Sequence, residues 1–315
     1  MSGHIDKYND LTNDEYRRIM GETEKKILYF LKYRVFSLFV QNKYITGFEI
    51  IYDEQDQLKG IDVILRNGKI EILVDIKTKT SQPGNTKLKK KPGNTFSFEA
   101  ETNPKGYKGY DPAHRILGLL FQLWPKSRFY EKHIKTQYLL LIDIDDTDAT
   151  SEKEINPNNI HAISAVLVKV SDIYELFDKL GYTPEQLYGI YKSLQDRIIR
   201  MYRSANPKTP KEKEIFEQTN GYWRKKMKPF ENATYVIDKN GKKEKKYGIY
   251  FNTSIYKTNG DPTNLIMTKI PTTDSFFSGV WALLPRSRTF KWSDTGEIQE
   301  IFFDKASYRD NPFNE

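Results

Sequence analysis

The sequence predicts an α/β fold: a mixed central β-sheet flanked by helices over residues 1–180, followed by a basic α+β region over residues 181–315. Three observations predict it. Residues 60–77 read as two alternating strands around Asn67-Gly68, the dipeptide that favours a two-residue hairpin turn. Residues 137–144 are a nearly continuous apolar run, as in a strand covered on both faces. Between them an apolar helical period spans residues 113–124, and strand, helix, strand in that order implies a parallel pair with a right-handed crossover.

The first helix is capped by Thr12-Asn13-Asp14 and carries Ile19, Ile27, Leu28, Leu31, Val35, Leu38 and Phe39 at helical spacing. Gly21 interrupts it, which predicts one bent helix or two pieces. Phe48–Tyr52 reads as a strand, and Asp53–Lys59 as a polar turn before the hairpin. Thr78–Gly109 is basic and glycine-rich, with a short alternating strand at Thr95–Glu101. Asp111-Pro112 opens a helix that runs through Ile116, Leu117, Leu120, Phe121 and Trp124 to Pro125. Ala162–Val170 is a second apolar strand, and Asp172–Leu180 a helix. The aspartates at 143, 145, 146 and 148 lack the glycine and terminal glutamate of a calcium loop and read as solvated turn formers. Thr183 caps, and Pro184 opens, an amphipathic helix that reaches Tyr202. The last hundred residues are β-rich, with strands expected at Thr234–Asp238, Tyr247–Ile255, Leu265–Ile270 and Ile298–Phe303.

The hairpin carries the chemistry. A type I′ turn centred on Asn67-Gly68 would set Arg66 opposite Lys69, Ile64 opposite Glu71 and Asp62 opposite Leu73. One face then holds Ile61, Val63, Leu65, Ile70, Ile72, Val74 and Ile76, without a polar atom. The other holds Asp62, Asp75 and Lys77. Asp62 and Asp75 become diagonal neighbours about 7–8 Å apart at Cα, near enough to converge on one cation. Two carboxylates on one face repel unless a cation joins them. Two hard oxygen ligands suit Mg²⁺, which keeps several waters and accepts a phosphate oxygen. A neighbouring ammonium can hold an attacking water or stabilise a charged transition state.

Asp62, followed by Asp75-Ile76-Lys77, resembles the signature of the PD-(D/E)XK nuclease superfamily. Restriction enzymes, recombination resolvases and phage or repair nucleases belong to it. Gly60-Ile61 stands where many members have a Pro before the first Asp. The resemblance implies a restriction-endonuclease-like core in which Asp62, Asp75 and the carbonyl of Ile76 ligate Mg²⁺, with Mn²⁺ as a substitute. It implies Lys77 as the residue that positions or activates water. Glu24, on the same helical stripe as Ile27, Leu28 and Leu31, is similar to the extra acidic ligand of several families. Gln122 corresponds to a DNA-touching glutamine on the helix after the catalytic strand. The implied partner is DNA, and a homodimer is compatible with the family.

Charge agrees with a polyanion partner. The chain has 50 basic against 42 acidic residues, a formal +8. Residues 197–228 alone hold ten basic and three acidic residues, a local +7. Arg197, Arg200 and Arg203 fall on one helix side, and Arg224, Lys225 and Lys226 follow. Lys87, Lys89, Lys90 and Lys91 form a loop after the catalytic strand, placed to hold a phosphate backbone. Absent cysteine rules out disulfides, thiolate zinc sites and cysteine nucleophiles. The four histidines lack ligand spacing. No stretch is long and apolar enough to span a membrane, so a reducing, cytoplasmic setting is expected. The reading is a Mg²⁺-dependent deoxyribonuclease, an endonuclease of restriction, phage or repair type. The rival readings are a non-catalytic nucleic-acid-binding protein and a viral assembly protein on the same scaffold.

Overall fold

The computed structural model describes residues 25–52, 59–80, 95–99, 101–102, 116–125, 127–149, 154–220, 222–227, 235–237, 243–245, 249–254, 264–268, 288–294 and 300–301. They belong to two compact units woven from separate stretches of chain. One takes its residues from Glu15–Asn94, Lys132–Tyr174 and Thr273–Glu315, and the other from Thr95–Glu131 and Glu175–Thr272. The protein is a mixed α/β structure, and no described helix is long and apolar enough to cross a membrane.

The first of these units is built on a seven-stranded sheet whose spatial order follows the chain. Its strands are β1 (Gly47–Ile50), β2 (Val63–Asn67), β3 (Ile70–Thr80), β4 (Tyr138–Thr147), β5 (Ile160–Lys169), β6 (Arg288–Ser293) and β7 (Glu300–Ile301). Neighbours are antiparallel, except that β3 and β4 run parallel. The parallel pair agrees with the sequence. The helix expected between its strands differs. Among the described residues of that stretch only Leu119–Gln122 is helical, while Ile116–Leu117 pairs with Glu101–Thr102. Gly118 is the physical reason: glycine inside a helix costs about 1 kcal/mol relative to alanine. Here its carbonyl instead accepts the N–H groups of Phe121 and Gln122, starting a single turn.

Helix α1 (residues 25–41) covers one face of the sheet. It is α-helical to residue 30, π-helical over Leu31–Phe36 and α-helical again over Ser37–Gln41. The wider turn has a packing reason. Phe30 with Val35, and Leu31 with Phe36, are pairs five residues apart that are all buried, and a π-turn stacks i over i+5. The Ser37 hydroxyl donates to the Lys32 carbonyl at 2.7 Å. These side chains pack with Val63, Leu65, Ile72, Val74, Ile76, Leu140, Ile142 and Trp292, the apolar face expected of the hairpin. Fully burying a side chain of this size contributes about 1.5–3 kcal/mol.

The hairpin register differs from the expected one by two. Asn67 pairs with Ile70 and Arg66 with Glu71, so the loop is Gly68-Lys69, with Gly68 at φ +62°. Glycine at the first loop position is what a type II′ turn requires. Electrostatics chooses this register. The expected one sets Arg66 opposite Lys69, and like charges directly opposed are unfavourable. The observed one joins Arg66 to Glu71 and to Glu49, each at 2.6 Å. A shift of two changes partners but leaves every side chain on its face.

In the second unit, a four-stranded antiparallel sheet runs in the order Thr95–Glu99, Asn264–Thr268, Ile249–Ser254, Tyr222–Lys226. Helix α2 (Val170–Lys179), which enters this unit at Glu175, leads from β5 to α3 (Pro184–Ala205), followed by α4 (Pro210–Asn220). The predicted cap of α3 is present as a reciprocal pair between Thr183 and Gln186. Ile198 and Met201 of α3 pack with Phe216 of α4.

His161 on β5 ties three segments of the first unit together. Its Nε2 lies 2.9 Å from Asp148 and its Nδ1 3.0 Å from Asp294. The bond to Asp148, then that to Asp294, holds the imidazole pKa above its ordinary value. A raised folded pKa means stabilisation that is complete below the unfolded value and lost as pH rises through the folded one. The gap in melting temperature between wild type and His161→Gln should therefore be widest near about pH 5.5 and shrink by about pH 8.5. Thermal melts across that range check it, and a gap independent of pH would contradict it.

Candidate metal centre

The β2–β3 ladder ends at Val63–Val74, yet β3 continues to Thr80. Asp62 and Asp75 are the residues just beyond that last pair, where the regular register breaks. Asp62 bridges both neighbours: its carbonyl accepts the Ile51 N–H at 2.9 Å, and its own N–H donates to the Val74 carbonyl of β3 at 2.9 Å. Its carboxylate then takes over from the missing strand: Oδ2 accepts the Ile76 N–H at 2.6 Å. Bonds to an ionised acceptor are the short, strong ones. The carboxylate thus lies against the peptide that joins Asp75 to Ile76. A strand residue directs N–H and C=O to the same edge, so the Ile76 carbonyl faces that side as well.

Asp75 and Lys77 stand two residues apart on one face of β3. The Asp75 side chain is 8% exposed and that of Lys77 41%. The ammonium is 3.0 Å from Oδ1 in hydrogen-bonding geometry. It is also 2.9 Å from Oδ2, but off the bonding direction, so that buried oxygen accepts no hydrogen bond.

These oxygens fit a small hard cation. Two carboxylates and a backbone carbonyl are the ligand types that Mg²⁺ takes, and it keeps water in its remaining positions. Among the described residues no group of three or more His, Cys, Asp or Glu is arranged to hold a metal. The centre therefore rests on Asp62, Asp75 and Ile76.

The other expected site residues fall elsewhere. Glu24 and Lys87, Lys89, Lys90 and Lys91 lie outside the described residues. The stripe Ile27, Leu28, Leu31 packs on the sheet face that carries Val74 and Ile76, opposite to that of Asp75 and Lys77. Arg197, Arg200 and Arg203 are exposed on α3 of the second unit. Arg224, Lys225 and Lys226 lie on the edge strand of that unit's sheet, which α3 contacts, and Lys225 is exposed. Gln122 ends the one-turn helix of the second unit.

Three features escaped the sequence reading. Asp143 is not a solvated turn former: it is fully buried within β4, and the strand runs on past a bulge to Thr147. Register places it level with Lys79 and Ser164 on the Asp75 face. Its position inside an apolar run was the available signal. Asp145 likewise has a partner, accepting a hydrogen bond from the Ser164 hydroxyl. Gln137 clasps the strand beside the site, with Oε1 accepting the Leu73 N–H at 3.1 Å and its own N–H donating to the Leu73 carbonyl at 2.9 Å. Lys59, Lys132 and Lys135 gather around the chain that enters β2. Only the parallel pairing of β3 and β4 brings the last two there.

Comparison of the chain with protein-family models, with curated proteins and with solved structures gave no match.

If the Asp62 carboxylate is what satisfies Ile76, Asp62→Ala should lower folding stability by about 1–3 kcal/mol, the cost of a buried unpaired N–H. Asp62→Asn, which keeps an acceptor oxygen, should lose clearly less. Chemical denaturation of the three proteins reads this directly, and equal stability for the alanine variant would remove the bond from the account.

Proposed function

We propose that the protein is a Mg²⁺-dependent nuclease that hydrolyses DNA phosphodiester bonds. The observation that carries this reading is the bond from the Asp62 carboxylate to the strand beside a second buried acid, Asp75, with an ammonium two residues on. Asp62 and Asp75 would hold the metal, joined by the carbonyl of Ile76. Bound there, Mg²⁺ supplies positive charge to the phosphate and lowers the pKa of coordinated water. Asp62 is oriented by its bond from the Ile76 N–H, which fixes its carboxylate before any metal binds. Lys77 is half-exposed on a long stem and can move from Asp75 to a water or a phosphate oxygen. The exposed arginines of α3 and the basic edge strand that α3 contacts supply a polyanion-binding surface.

One observation favours a second reading. Asp62 and Lys77 already serve the hairpin itself, one satisfying a strand N–H and the other neutralising Asp75. A non-catalytic nucleic-acid-binding scaffold would use them in that way alone. Cleavage assays on circular and linear DNA, with Mg²⁺ and with chelator, separate the two. The nuclease reading expects metal-dependent cutting that Asp75→Asn abolishes in a folded protein, since one ligand charge disappears at nearly constant volume. It also expects Lys77→Ala to lower turnover far more than DNA affinity. Undiminished cutting by Asp75→Asn would exclude this centre.

A further inference from the structure

An open groove of about 620 Å³ lies where the chain enters β2. Its floor is Ile51, Ile61 and Ile64, and Lys59, Lys132 and Lys135 stand around it. The groove is built, not incidental. The Lys135 N–H donates to the Lys59 carbonyl at 2.9 Å, and the Thr136 hydroxyl donates to the Gly60 carbonyl. Ile64 stands two residues from Asp62, and its partner Leu73 stands two from Asp75. The groove reaches the neighbourhood of Asp62 through Ile61, the residue before it, and Ile51, whose N–H bonds the Asp62 carbonyl.

Its chemistry is twofold. The isoleucines and the stems of the lysines offer apolar surface, and the ammonium groups offer charge at the rim. The volume falls in the range of about 300–1,000 Å³ typical of sites for one small molecule or one residue of a polymer. A base-paired duplex presents phosphates to such a groove but keeps its bases stacked, leaving the apolar floor against water. An unstacked nucleotide presents both parts. An acidic peptide would meet the lysines and leave the floor uncovered.

We propose that this groove holds a single unpaired nucleotide, its base against Ile51, Ile61 and Ile64 and its flanking phosphates on Lys59, Lys132 and Lys135. The position of that nucleotide next to the scissile bond rests on the nuclease reading, whereas its binding does not. The substrate class that follows is a nucleic acid with single-stranded, frayed or flapped structure beside the cleavage point.

The test is fluorescence anisotropy of the full chain in chelator, where nothing is cut. The probes are a labelled oligothymidylate, a blunt duplex of matched length and an oligoglutamate peptide. Lys132 and Lys135 are exposed, so Lys132→Glu/Lys135→Glu should fold. It should weaken oligothymidylate binding by more than about tenfold and flatten its salt slope by about 1.4, two phosphate contacts at about 0.7 each on single strands. Ile64→Ser should weaken the same binding several-fold with the slope unchanged. Equal or tighter binding of the duplex, tighter binding of oligoglutamate, or an unchanged oligothymidylate slope in the lysine variant would overturn the groove assignment. If the lysine variant behaves as expected and wild type cuts no DNA in Mg²⁺, the groove stands and the nuclease reading falls. Normal cutting with an unchanged slope would sink the groove alone.

Discussion

The hydrogen bond from the Ile76 N–H to the Asp62 carboxylate, 2.6 Å long, is the constraint on which the candidate site depends. A strand that outlasts its neighbour leaves N–H groups without partners, and burial makes each one costly. A side chain acting in place of a strand solves this at Ile76. It also has a consequence: an acidic side chain is held against the strand that carries a second buried acid, Asp75. Asp75 cannot retreat, because Val74 and Ile76 on either side of it are locked into the core beneath α1. Lys77 answers that charge from two residues away. The fold thus creates an electrostatic demand by ending one strand early, and a divalent cation is the chemistry that would meet it most completely.

How much of this the sequence revealed follows from what alternation can and cannot specify. Period-two patterning assigned Val63, Leu65, Ile72, Val74 and Ile76 to the core, and Asp62, Asp75 and Lys77 to the other face. It could not assign partners, because a shift of two residues preserves every face. The dipeptide Asn67-Gly68 pointed to one register. The charges of Arg66, Glu49 and Glu71 favour another, shifted by two residues. Reading charge pairs along with turn residues would have found it. The π-helical turn in α1 was not legible, since it arises from fitting Phe30, Leu31, Val35 and Phe36 into one core. Nor was the burial of Asp143, because an Asp-rich stretch resembles a loop until the ladder through Thr147 is seen. The interleaving of the two units was hidden for a similar reason. Thr95–Glu99 joins a sheet whose other strands follow more than a hundred residues later.

Two sets of residues bear on the proposed nucleic-acid partner, and they differ in kind. Arg197, Arg200 and Arg203 of α3 and Lys225 present charge on an exposed surface, which would give affinity that is strongly salt-dependent and indifferent to sequence. The groove beside Asp62 combines charge with apolar surface, and that combination discriminates between stacked and unstacked substrates. A protein that only bound polyanions would need the first set and would gain nothing from buried carboxylates, which repel phosphate. Their placement next to a lysine groove is understandable when a cation mediates between carboxylate and phosphate.

The most direct measurement is anomalous diffraction from crystals soaked in Mn²⁺. Metal binding at this centre gives a peak within about 2.2 Å of oxygens from both Asp62 and Asp75, with the Lys77 ammonium displaced from Asp75. An intact Lys77–Asp75 ion pair with no peak at these carboxylates would contradict it.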